Sequence, residues 1–126
     1  MEAGLASRLA QIGIRTLNAQ QKEQAERFGV EIFEMREWSL DKLPVFTGPL
    51  YISLDMDALD PAFAPGVSHH EPGGFSTREL LTIIQQLEGN IVGADIVEYN
   101  PVRDVVGVTA MTAVKLLKEL LAKMLA

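Results

Sequence analysis

The stretch YISLDMDALDPAFAPGVSHHEPGG, residues 51–74, decides how this chain is read. It opens as an apolar strand at Tyr51. Without a linker it then turns into Asp55, Asp57 and Asp60, followed by prolines and glycines around the adjacent His69 and His70. A buried strand that ends in acid needs a reason. On an extended chain, side chains at i and i+2 share a face, so the spacing predicts that Asp55 and Asp57 point the same way. Two carboxylates at one place repel unless a cation or a proton lies between them. Oxygen donors of this kind suit a hard divalent ion such as Mn²⁺ or Mg²⁺. The competing reading is that these acids cap the loop backbone, and Asp60, which precedes Pro61, fits that role. Adjacent histidines on an extended loop point opposite ways, so at most one of His69 and His70 faces the aspartates. For each of them a hydrogen-bonded structural role is the plainer reading.

Outward from this stretch, helical and extended segments alternate. Ile12 to Ile14 is a short apolar run that predicts a buried strand. Asn18 and Gly29 bracket a surface helix as N-cap and C′ residue, with Ala25 and Phe28 inward. Val30 to Met35 alternates apolar and acidic residues, the pattern of a strand near a sheet edge. REWSLDKLPVFTGP, residues 36–49, is a polar connection that holds one helical turn and is closed by Pro44, Gly48 and Pro49. Ser76 and Glu79 form a capping box ahead of Leu80, Ile83, Ile84 and Leu87, and Gly89 ends that helix. NIVGADIVEYNP, residues 90–101, is a second apolar strand ended by acid, with Asp95 and Glu98 near its end. VTAMTAVKLLKELLAKML, residues 108–125, predicts a long helix with Leu116, Leu117, Leu120, Leu121 and Leu125 inward. Strands alternating with helices imply βαβ units and a mainly parallel sheet. In such sheets, function collects beyond the carboxyl ends of the strands.

Composition narrows the function classes. The 126 residues carry 17 acidic and 11 basic side chains, a net charge of −6, and no Lys/Arg run that would offer a duplex or an anionic membrane a positive stripe. No apolar run reaches the roughly 20 residues of a membrane span. The absence of cysteine removes disulfides, thiolate nucleophiles and sulfur-ligated zinc, and it fits a reducing compartment. MEAGLASRLAQ has Glu2 and no apolar h-region, so no signal peptide is expected. The expectation is one α/β domain over residues 1–126, cytoplasmic, binding neither nucleic acid nor membrane.

SLDMDALDPAFAPG followed by EPGG resembles the S-x-D-x-D-x-x-D-P signature of the arginase and agmatinase family, the ureohydrolases, and GVSHHEPGGFS is most similar to its plant-type arginase branch. The likeness continues through IVGADIVEYNPVRD and VTAMTAVKLLKELLAK, and upstream through QIGIR and RFGVEIFEM. The resemblance implies a three-layer α/β fold, here truncated to a mainly parallel sheet of about four strands flanked by helices. It also implies a binuclear manganese site that activates a bridging water against a guanidinium carbon, releasing urea. Residue by residue, Asp55 matches the aspartate bridging the two ions, Asp57 the one binding a single ion, and Glu98 the carboxylate that pairs with the guanidinium. His69 stands where the commoner signature has threonine and is expected to line the site, as are Asp60 and Asp95. L-Arginine is the expected substrate, with agmatine or another guanidine as alternatives.

The family's upstream G-G-D-H and D-A-H-x-D motifs do not occur in these residues. Four of the six metal ligands that the resemblance implies are therefore missing. The chain is expected to be the C-terminal part of a ureohydrolase, inactive alone and binding a cation weakly. The other readings are a non-catalytic α/β module and, third, an unrelated Mg²⁺ phosphotransfer site, against which the lack of a Gly-rich phosphate loop counts. A strand from the missing half is expected between the Ile12–Ile14 strand and the Tyr51 strand. The resulting slot would be closed by pairing those strands or by a second copy, which leads to an expected homo-oligomer.

Overall fold

The computed structural model describes residues 1–126. Contacts divide it into two compact units, Met1–Lys42 and Leu43–Ala126.

The first unit holds strand β1 (Ala10–Ile14), helix α1 (Ala19–Phe28) and strand β2 (Glu31–Glu34). β1 and β2 pair in parallel, from Ala10 opposite Glu31 to Ile14 opposite Glu34, which requires a crossover such as α1 supplies. α1 forms where its caps dictate. The Asn18 side chain accepts from the Gln21 N–H and the Gln21 side chain accepts from the Asn18 N–H, a complete capping box. Gly29 ends the helix in the left-handed conformation, φ 64° and ψ 38°, which a side chain would disfavour. Ala25 and Phe28 are its part-covered positions, as expected. Two short 3₁₀ turns, Met35–Glu37 and Leu40–Lys42, occupy the polar connection.

The second unit holds strand β3 (Pro49–Asp55), helix α2 (Thr77–Gln86), strand β4 (Asn90–Val97) and helix α3 (Val108–Leu125). β3 and β4 also pair in parallel, from Pro49 opposite Asn90 to Asp55 opposite Val97. Both strands therefore end at one level. α2 opens on the predicted capping box: the Ser76 hydroxyl accepts from the Glu79 N–H, and the Glu79 carboxylate accepts from the Ser76 N–H at 2.8 Å. The Ser76 hydroxyl and N–H hold that carboxyl below its ordinary pKa. Leu80, Leu81, Ile83 and Ile84 of α2, with Leu54, Ile91, Leu116 and Leu120, form the core.

The α/β class and the four parallel strands are as expected, but their grouping differs. There are two sheets of two strands in place of one sheet of four. Apolar periodicity fixes which face of a strand is covered and carries no information about which edges meet. A second difference lies in α3. Leu116 and Leu120 are buried, whereas Leu117, Leu121 and Leu125 are exposed. Successive helical residues are about 100° apart, so the two leucine rows lie on neighbouring faces and only one reaches the core.

The start of α3 is tied to the loop after β3. The Asp104 carboxylate accepts from the N–H groups of Thr109 and Ala110 (2.9 and 3.0 Å), filling two of the open donors of the first turn. Desolvation raises the Asp104 carboxyl, yet those two N–H groups and the hydroxyls of Tyr99 and Thr109 together hold it below its ordinary pKa. Thr109, fully buried, accepts from the Gly66 N–H at 2.7 Å. A Cβ on Gly66 would stand 2.8 Å from the Thr109 Cβ, so the loop backbone approaches as only glycine permits. Thr109→Val, nearly isosteric, strands the Gly66 N–H and is expected to lower stability by about 1–3 kcal/mol in urea unfolding. An unchanged midpoint would refute the anchor.

Candidate functional site

The site is built at the carboxyl ends of β3 and β4. β3 stops at Asp55 and passes into a 3₁₀ turn, Met56–Ala58, so Asp57 lies on the turn and not on the strand. The shared-face geometry expected for Asp55 and Asp57 holds only for extended chain, and it does not carry across this turn. Asp55 instead caps the turn, accepting from the Asp57 N–H at 2.8 Å.

A different set gathers around Asp57. One donor atom from each of Asp57, His69 and Glu98 lies within 4.8 Å of the others. His69 Nδ1 is 3.4 Å from the Asp57 carboxylate, and the His69 side chain is 83% exposed against 20% for Asp57. The group is thus an open rim around one sheltered carboxylate. His70 turns away, as adjacency predicts. Its Nε2 lies 2.8 Å from the Pro65 carbonyl and its Nδ1 3.4 Å from the Arg103 guanidinium. Because Arg103 can only donate, Nδ1 accepts and the proton sits on Nε2, which donates to Pro65.

Two long-range devices deliver these residues. The loop bearing His69 is folded on Asp60, whose carboxylate accepts from Ala62 (2.9 Å), Gly73 (2.7 Å) and Gly74 (3.2 Å) N–H groups. Its ends are closed by backbone bonds between Asp60 and Phe75 (2.9 Å) and between Phe75 and Ala58 (3.0 Å). Asp60 thus caps the loop backbone. Asp95 accepts from Tyr51 Oη (2.9 Å) and Ser53 Oγ (2.7 Å) across the β3–β4 pair, and this bond to Asp95 raises the Tyr51 phenol pKa. Neither Asp60 nor Asp95 belongs to the group around Asp57.

Glu98 is delivered by its backbone. Immediately after β4 it adopts φ 65°, left-handed and unusual for a residue with a side chain. Such a conformation costs on the order of 1–3 kcal/mol and persists where surroundings over-determine it.

Two carboxylates and an imidazole suit a single hard or borderline divalent ion and fill about half of a six-ligand shell. The donor set fits one manganese-type ion, not two. Sequence reasoning put His69 beside the site as lining and missed its closeness to Asp57, because it placed Asp57 on a strand.

The arginase family model matches residues 1–122. The chain belongs to the arginase family. It is 55% identical over 131 residues to mitochondrial arginase 1 of Arabidopsis thaliana, covering 98% of this chain and 38% of that protein. It is 40% identical over 115 residues to agmatinase of Bacillus subtilis, covering 86% and 40%. Among solved structures, an arginase-like protein of T. brucei, a triple mutant bound with Mn²⁺, superposes with a TM-score of 0.92 at 32% identity over 99% of this chain and 45% of that one. The arginase-family chain thus spans about two fifths of the length of these relatives. The cytoplasmic expectation is overturned: plant arginases similar to this chain, from Arabidopsis thaliana, Oryza sativa and Medicago truncatula, are named as mitochondrial. Lack of cysteine speaks to redox conditions and does not separate one reducing compartment from another. No helix is long and apolar enough to cross a membrane.

Glu98→Gly is expected to raise stability by about 1 kcal/mol by releasing the left-handed strain. Glu98→Gln, which keeps it, should leave the urea midpoint in place. A loss of stability in Glu98→Gly would show that the strain is not there.

Proposed function

We propose that residues 1–126 supply the C-terminal part of the α/β domain of a manganese ureohydrolase that hydrolyses a guanidinium C–N bond and releases urea, with L-arginine as substrate. The observation that carries this reading is the convergence of Asp57, His69 and Glu98 at the common end of β3 and β4, in a chain of the arginase family. Agmatine is the alternative substrate, since an agmatinase is among the relatives.

In this reading Asp57 holds manganese, with Asp55 joining it when the rest of the protein supplies the remaining ligands. Manganese, when bound, lowers the pKa of water so that it is nucleophilic near neutrality. Glu98 accepts two N–H groups of the planar guanidinium and fixes the face presented to that water. Water adds to the guanidinium carbon, the bond from that carbon to the substrate's chain nitrogen breaks, and the departing amine takes up a proton. His69, at the open rim, lines the approach and can receive or return that proton. Asp60 and Asp95 support the loop and the strand pair beneath.

The chain alone is a poor enzyme on this reading, because Asp55 and Asp57 leave most of one ion's shell to water and none for a second ion. Calorimetry is expected to show Mn²⁺ binding weaker than micromolar, and purified chain no urea release from arginine or agmatine above the metal-only background. A tight stoichiometric site lost in Asp57→Asn would overturn the incomplete-site reading. Urea release surviving Asp55→Asn would overturn the assignment of roles.

The chain is also proposed to self-associate. Met111, Leu117, Leu121 and Leu125 lay an exposed apolar stripe along α3, of the kind that contacts between chains cover. Light scattering at micromolar concentration is expected to give a dimer or larger. A monodisperse monomer with cooperative unfolding would reject it.

A further inference from the structure

The left-handed Glu98 and the exposed His69 have no covalent connection shorter than the 28 intervening residues, yet their donor atoms lie within 4.8 Å of each other and of Asp57. Asn100 joins the two segments that carry them, beside the longer contact of 3.4 Å between His70 Nδ1 and the Arg103 guanidinium. Asn100, two positions after Glu98, donates its backbone N–H to the Gly66 carbonyl at 2.8 Å. Its side-chain Nδ2 donates to Ser68 Oγ at 3.1 Å, and Ser68 directly precedes His69. Its Oδ1 accepts from the Val102 N–H at 3.1 Å, which turns the chain at Pro101. The amide orientation is consistent, since the oxygen faces an N–H group and the nitrogen faces a hydroxyl. Asn100 therefore commits each end of its amide to a different segment.

We propose that Asn100 is a positioning residue: it fastens the loop bearing His69 to the segment just after Glu98, and so sets the separation of the three donors. Each neighbouring bond fits this role and does not replace it. The Gly66 N–H is held by Thr109, and Tyr99 Oη reaches Asp104 at 3.1 Å, so both segments rest on the start of α3. Neither of those contacts reaches Ser68 or His69. The Asn100 to Ser68 bond is the step that extends the anchored part of the loop to the edge of the site. It also supplies the over-determination that a left-handed glutamate needs, by fixing the chain two residues downstream. An aspartate at 100 would keep a partner in the Ser68 hydroxyl, which can rotate to donate, whereas alanine keeps none.

The inference rests on the reading of Asp57 as a manganese-holding carboxylate with His69 and Glu98 gathered beside it. The test uses the 126-residue chain, Mn²⁺ as probe, and NMR line broadening of the two histidine rings by the paramagnetic ion. In the unaltered chain, His69 is expected to broaden well before His70. Asn100→Ala and Ser68→Ala should each need about tenfold more Mn²⁺ to broaden His69 equally, a size usual for groups that support a ligand from behind. Ser68→Thr, which keeps the hydroxyl on an exposed position, should restore the original response. Near-UV circular dichroism separates this from loss of fold, and Ser68→Ala serves where Asn100→Ala unfolds. If both alanine variants broaden like the unaltered chain while Asp57→Asn abolishes the effect, the cation site stands and the role of Asn100 is refuted. If Asp57→Asn leaves the broadening unchanged, the cation reading fails, and the inference with it.

Discussion

The parallel pairing of β3 with β4 is the constraint on which the rest of the site depends. Seven paired positions bring the two strands to a common level, so that Asp55 and Val97 stand opposite one another. The chemical groups lie within three residues of that line: the Asp57 turn on one strand and the left-handed Glu98 on the other. An antiparallel pair would have put the two acids at opposite ends. The pairing is backed by α3, which packs on β4 and buries Leu116 and Leu120, and α3 packs in turn on α2 with its buried leucines and isoleucines. Burial of each such side chain contributes roughly 1.5–3 kcal/mol.

Beyond the strand ends, polar contacts do the positioning. Asp60 gathers three N–H groups of its own loop, and Asp104 gathers two from the first turn of α3. Both are carboxylates committed to backbone donors that have no helical or sheet partner, which is where acids stabilise a loop most. The result is a loop whose base is fixed and buried, at Ala64, Val67 and Phe75, while its tip at His69 and His70 is exposed. A rigid base under an exposed tip is what a binding loop requires. Glu98 is the opposite case, since its backbone conformation is unfavourable in itself and is held by the bonds that Asn100 makes two residues downstream.

The same geometry sets the limit on what this chain does alone. One face of β3 carries Leu50, Ile52 and Leu54 into cover, while Tyr51, Ser53 and Asp55 face outward. Parallel sheets ordinarily carry helices on both faces, and here the outward face is open, in a chain that spans about two fifths of its relatives' length. The open face is made tolerable by polar pairing. Asp95 takes the hydroxyls of Tyr51 and Ser53, and the Tyr51 ring lies over Gly93, whose missing side chain makes room for it.

Local chemistry let the sequence determine the helices, the strands and their caps. Asn18 with Gln21 and Ser76 with Glu79 specify two helix starts within four residues, and Gly29 specifies an end, because each acts through bonds to its near neighbours. The acid at two strand ends, and hence the neighbourhood of the site, was legible for the same reason, and the long motif gave the family. Three things were decided only by the tertiary structure. The strands group as two pairs, because edge partnership is not written in periodicity. His69 meets Asp57, and His70 does not, because a 3₁₀ turn replaces the extended chain after Asp55. And Asp95 was drawn off to the hydroxyls of Tyr51 and Ser53, because a carboxylate's nearest donors are known only once segments distant in sequence are brought side by side, whereas the loop-capping role of Asp60 was already legible beside Pro61.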